Sequence, residues 1–171
     1  MDNKTVEKLL NATNYYSLND LTPFAKTYIE KLIYNIITYV SNQFDVGNIE
    51  LLDKYNGVNE LSQEVTGIPS AYSVIDGSKE TLLSFAQEYS KMEISEFDLL
   101  CKEVIIDFLN LNNGLFVVQL SKDNICELSL SVPKQNGNYS IDHASYKSII
   151  VIPVTFTFGN IKFLICESLN N

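Results

Sequence analysis

The stretch Asp107-Phe-Leu-Asn110-Leu-Asn-Asn-Gly114 lies inside a longer apolar run, and its reading decides how the rest of the chain is built. Between Ser95 and Ser121, Leu99, Leu100, Val104, Ile105, Phe108, Leu109, Leu111 and Leu115 would cover most of a helix's circumference. Glu96, Glu103, Asp107, Asn110, Gly114 and Ser121 are spaced 7, 4, 3, 4 and 7 residues apart. At about 3.6 residues per turn, those intervals place all six on one line. A fully buried helix needs no polar line, and a plainly solvated face normally carries more Lys and Glu. At the centre an acid and an amide stand one turn apart, and a residue without a side chain follows one turn later. That pattern suits close approach of another surface. Asn112-Asn113-Gly114 would ordinarily stop a helix, with Gly in the left-handed conformation. The apolar pattern resumes at Leu115, Phe116 and Val118, so the helix is expected to continue to about Leu120.

Just upstream, Ser95-Glu-Phe-Asp98 has the form of a capping box that opens this helix. Ser78 can cap a preceding helix that runs to about Ser90 through Leu82, Leu83, Phe85, Ala86 and Tyr89. Thr22-Pro23 is a third helix start, since the hydroxyl caps and proline has no amide hydrogen to leave unpaired. Ile29, Leu32, Ile33, Ile36, Ile37 and Val40 then predict an amphipathic helix over 23–44. Strand signals occupy Val46–Lys54 and Asn59–Ile68, with Asn56-Gly57 between them as a hairpin cue. Ser70–Ile75 reads as a third strand. Ile125–Val132, Lys147–Phe158 and Ile161–Ser168 follow the long helix, the last two joined through Gly159. Pro153 cannot donate to a ladder and predicts a bulge or an outer edge. The element order predicts an α+β fold, with helices packed on a largely antiparallel sheet of about six strands. Residues 1–20 read as a polar amino-terminal arm, and 21–171 as a single domain.

The formal charge of −9, from 12 basic and 21 acidic residues, argues against nucleic acid and against an anionic membrane, both of which call for a basic face. A hydrophobic fraction of 46% with 19% charged residues is that of a globular chain. No apolar run is expected to reach the length of a membrane span, and the N-terminus lacks the pattern of a signal peptide, so the cytoplasm is the expected location. Cys101, Cys126 and Cys166 lie in apolar segments without metal-ligand spacing and read as small buried hydrophobes. His143 is the only histidine, too few for a zinc site of the usual kind, and no motif surrounds it that would make a triad.

The long helix resembles the catalytic helix of the CheC/CheX/FliY family of chemotaxis phosphatases, the CheX branch in particular. That helix carries Glu-x-x-Asn with a small residue or Gly near the next turn, and here Asp107-x-x-Asn110-x-x-x-Gly114 lines up with it. Leu128-Ser-Leu-Ser-Val-Pro133 is similar to the family's strand ending in Ser-x-Pro. Val151-Ile-Pro-Val154 and the hairpin through Gly159 are similar to its closing strands. Thr22-Pro-Phe24 and Ser78–Ser90 resemble its first helix and the helix before the catalytic one, so the resemblance spans roughly 22–168 in order. Asp107 departs from the usual Glu, which removes about 1.5 Å of reach.

The resemblance implies hydrolysis of the aspartyl phosphate on a CheY-like response regulator. Asn110 would orient the attacking water, Asp107 would dock against a receiver lysine, and Gly114 would admit the receiver's backbone. Mg²⁺ would belong to the receiver, with no cofactor bound by this chain. The family also implies a homodimer. Two functions stay open at this point: the phosphatase, and a non-catalytic CheX-like module that binds a receiver or a motility partner. Set beside both is the plain alternative that an Asp and an Asn three residues apart are the wet side of a helix.

Overall fold

In the computed structural model, which describes residues 21–123 and 128–169, three helices cover one face of an eight-stranded antiparallel sheet. The helices are α1 (Pro23–Asn35, extended by a π-helical segment Ile36–Val40), α2 (Lys79–Ser90) and α3 (Leu99–Asp123). The strands are β1 (Phe44–Val46), β2 (Glu50–Leu52), β3 (Lys54–Gly57), β4 (Glu60–Gly67), β5 (Ala71–Gly77), β6 (Leu128–Leu130), β7 (Lys134–Asn136), β8 (Tyr139–Asp142), β9 (Tyr146–Phe156) and β10 (Gly159–Ser168). The order is β1-β9-β10-β5-β4-β6, with β2 also pairing β9 and β7 also pairing β4. The predicted α+β class therefore holds, with the outer positions divided among short strands. The predicted arm, Cys126 and the start of the Ile125–Val132 strand lie outside the described residues.

Both predicted caps on the earlier helices form. Thr22 Oγ1 accepts from Ala25 N at 3.3 Å, and Ser78 Oγ accepts from Thr81 N at 3.2 Å. The third does not form as read. Gln87 Nε2 donates to Ile94 O at 2.7 Å, which ties the connection to α2, and Asp98 Oδ1 accepts from Cys101 N at 3.0 Å. Asp98 therefore caps α3, and Glu96 lies before the helix and leaves the polar line. The 23–44 helix is likewise shorter, because the π-helical segment ends at Val40.

The Asn56-Gly57 hairpin is overturned. β3 pairs β8 in a separate two-stranded sheet, with Gly57 opposite Tyr139, and does not turn into β4. Glycine is required there because a Cβ would stand inside the Tyr139 ring. This small sheet covers Tyr72, Val74, Ile149, Val151, Leu164 and Cys166 on the face opposite the helices. Pro153 fits its reading: β1 pairs β9 at residues 154–156 and β2 pairs it at 149–151, so proline falls where the neighbouring strand is interrupted.

α3 is long and apolar enough over Leu99–Lys122 to cross a membrane by length and composition, which corrects the expectation that no segment would be. Here it is the central helix of the main core. Phe108 packs edge-on against Phe85 at 5.1 Å and Tyr89 at 5.3 Å, and Phe116 packs edge-on against Phe24 at 4.9 Å and Tyr28 at 5.3 Å. Burying each such ring contributes about 1.5–3 kcal/mol. Phe108 lies within the Asp107–Gly114 segment and Phe116 two residues beyond it, so the segment is anchored to the core at both places. Cys101 and Cys166 are buried, and burial pushes their thiols up to about 11 and about 12, which suits inert packing rather than nucleophilic chemistry.

Candidate functional site

Asp107, Asn110 and Gly114 lie together on the outward side of α3, as their spacing requires, with both polar side chains exposed and Gly114 half-exposed. Glu103 and Ser121 continue the line and are exposed as well. A Cβ on Gly114 would meet nothing within 4 Å. The fold itself therefore places no steric demand for glycine at that position.

Asp107 is held from α2: the Tyr89 hydroxyl donates to Asp107 Oδ2 at 2.7 Å. Burial raises the Tyr89 phenol above its ordinary range, and the hydrogen bond and charge of Asp107 push it the same way, so at neutral pH the phenol is the donor. Beside this pair is a cleft of about 550 Å³ with Tyr39, Met92 and Val104 as its apolar wall and Glu103 and Asp107 at its rim. Such a wall suits an aliphatic stem, and such a rim suits a cationic head.

Asn110 is held from the sheet. Gln63 of β4, only 2% exposed, donates from Nε2 to Asn110 Oδ1 at 2.8 Å and to the Ser131 carbonyl at 3.0 Å. Its Oε1 accepts from Asn113 Nδ2 at 2.9 Å, and Asn113 Nδ2 also donates to Ser73 Oγ at 2.7 Å. Gln63 and Ser73 are direct cross-strand partners on the helix-facing side of β4 and β5. Asn112 turns inward too, accepting from Asn35 Nδ2 of α1 at 2.8 Å.

These contacts explain why Asn112-Asn113-Gly114 fails to end the helix. Both asparagine side chains, each 0% exposed, are engaged by neighbouring elements and do not compete for their own backbone. Gln63 and Tyr89 were not singled out from sequence. Gln63 had a legible signal, since Leu61-x-Gln63-x-Val65 and Ala71-x-Ser73-x-Ile75 each place a polar residue in an inward-facing, period-two series. Tyr89 had none beyond its helical position, because its hydroxyl partner comes from another helix.

No family model matches the sequence, and no curated protein matches it by sequence. Solved structures do share the fold. A chemotaxis protein CheX from Desulfovibrio desulfuricans superposes with a TM-score of 0.71 at 15% identity, over 86% of this chain and 100% of that one. A CheC-like superfamily protein from Shewanella sp. PV-4 gives 0.73 at 17% identity, over 86% and 99%. A chain of the CheX–CheY–BeF3–Mg²⁺ complex from Borrelia burgdorferi gives 0.63 at 16% identity, over 85% and 97%. The fold is thus that of CheX and CheC-like chemotaxis proteins.

Proposed function

We propose that this chain is a CheX-like phosphatase that hydrolyses the aspartyl phosphate of a CheY-like receiver domain. The observation that carries the reading is the joint placement of Asp107 and Asn110: one turn apart, exposed, and each held by a hydrogen bond from a different neighbouring element. The shared fold supports it, and the Borrelia neighbour is bound to CheY.

In this reading the receiver supplies Mg²⁺ and the phosphorylated aspartate, and this chain supplies position. Asn110 holds one water in line with phosphorus. The water oxygen bonds to phosphorus as the bond to the aspartyl oxygen breaks, leaving a carboxylate and inorganic phosphate. Asp107 receives a receiver lysine, whose stem lies along the Tyr39–Met92–Val104 wall. Gly114 leaves room for the receiver's backbone. The protein would act in the cytoplasm beside its receiver, as a homodimer.

A specific observation favours a second reading, the non-catalytic receiver-binding module. Asp107 is shorter than the glutamate of the family motif, and Tyr89 already uses one of its oxygens. The test is the decay of a receiver phosphorylated with acetyl phosphate in Mg²⁺, with and without substoichiometric protein. Faster decay with multiple turnovers supports the phosphatase. Binding without faster decay supports the module, and neither binding nor decay rejects both.

A further inference from the structure

We propose that Gln63, a buried residue of the sheet, is a positioning residue that fixes which end of the Asn110 carboxamide faces outward. The inference rests on the phosphatase reading for its consequence in rate, but its structural content can be tested without it.

The orientation follows from two backbone carbonyls, which can only accept. Gln63 Nε2 faces the Ser131 carbonyl at 3.0 Å, so that end of the Gln63 side chain must be the nitrogen. The same nitrogen lies 2.8 Å from Asn110, so the Asn110 atom turned toward it must be Oδ1. Gln63 Oε1 is then left to accept, which makes its neighbour the nitrogen of Asn113. The far end of the chain agrees. Ser73 Oγ donates to the Gln63 carbonyl at 3.2 Å and so accepts from Asn113 Nδ2. No amide in the row can be flipped alone without setting donor against donor or acceptor against acceptor. Both Gln63 Nε2 protons are used, and Asn110 Nδ2 is left on the side away from the sheet.

The consequence concerns the polarity of the site. Asn110 presents a donor outward, suited to hold the water by one lone pair while the other faces phosphorus. Without Gln63, the exposed carboxamide would rotate and present its acceptor end as often, and fewer encounters would find the water correctly held. Gln63 itself never reaches the receiver, because α3 lies over it.

The first test uses the unmodified protein. Side-chain amide exchange by NMR should show Gln63 Nε2 protons protected and Asn110 Nδ2 protons exchanging freely with water. Protected Asn110 protons beside unprotected Gln63 protons would overturn the assignment, whether or not any receiver is a substrate. The second test is Gln63→Met, which keeps the side chain's length and removes its donors. On a receiver phosphorylated with acetyl phosphate, kcat should fall about tenfold while KM stays within about twofold. In an Asn110→Ala background the same change should have no further effect on rate. A wild-type rate for Gln63→Met, or an equal loss in both backgrounds, overturns the positioning role. If the unmodified protein does not accelerate decay, the phosphatase reading fails, and the exchange experiment alone decides the orientation.

Discussion

On the outer side of α3, Asp107 and Asn110 are exposed, and each takes one hydrogen bond from a neighbouring element. On its inner side, Asn112 and Asn113 are fully buried and joined to Asn35, Gln63 and Ser73. The four residues fall within seven consecutive positions of one helix, yet their polarity serves opposite ends. Inside, each amide locks one element to another, and removing a partner strands a buried polar group. Outside, removing Asp107 leaves the Tyr89 hydroxyl to water, and removing Asn110 leaves one proton of the buried Gln63 amide to be met by water from the exposed side. Polar residues on an apolar helix must therefore be sorted by face before any is read as functional.

The largest expected effect breaks the outer face. Asp107→Lys would set two cations together against a receiver lysine, and a like-charge contact in a partly desolvated interface costs several kcal/mol. Receiver binding by titration calorimetry should vanish while the thermal midpoint stays near that of the parent. Retained binding would show that the acid is not at the interface.

On the inner face, Asn35→Leu should destabilise the protein by about 1–3 kcal/mol, because Asn112 Oδ1 loses its donor in the core. The double change Asn35→Leu/Asn112→Leu should recover most of that loss. It also removes Asn35 Oδ1 and Asn112 Nδ2, which are buried without a partner among the described residues. Urea unfolding of the two variants checks this, and equal or additive losses would contradict the pairing.

Gly114→Ala sharpens the comparison with a smaller effect. A helical alanine in open space should raise stability by about 0.5–1 kcal/mol. The new methyl should at the same time weaken receiver binding, because the outer face has lost its closest point of approach. Gain in stability without loss of binding would remove Gly114 from the interface.

Much of this contrast was legible in the sequence, and its limits are physical. The period of Leu99–Leu115 and the interval from Asp107 to Gly114 specified a helix face, and Thr22 and Ser78 specified two helix starts. Period alone could not show that Asn112 and Asn113 point inward, since an amide is buried only if another element answers it. The answering residues, Gln63 and Asn35, are 50 and 77 positions away in the pairs they make with Asn113 and Asn112. Asn56-Gly57 misled for a related reason: the glycine that reads locally as a turn makes room for the distant Tyr139. Ser95 misled because the contact of Gln87 with Ile94 ties down the segment before Asp98.

If the outer face performs chemistry, Asn110 is the residue on which the rate depends. The lifetime of a phosphorylated CheY-like receiver should be measured with the parent protein and with Asn110→Ala, alongside the thermal midpoint of each. The expected result is a loss of acceleration on the order of a hundredfold or more in the variant, with a folded protein whose midpoint falls only modestly for the acceptor that Gln63 loses. An Asn110→Ala protein that shortens the receiver's lifetime as much as the parent does would contradict the claim.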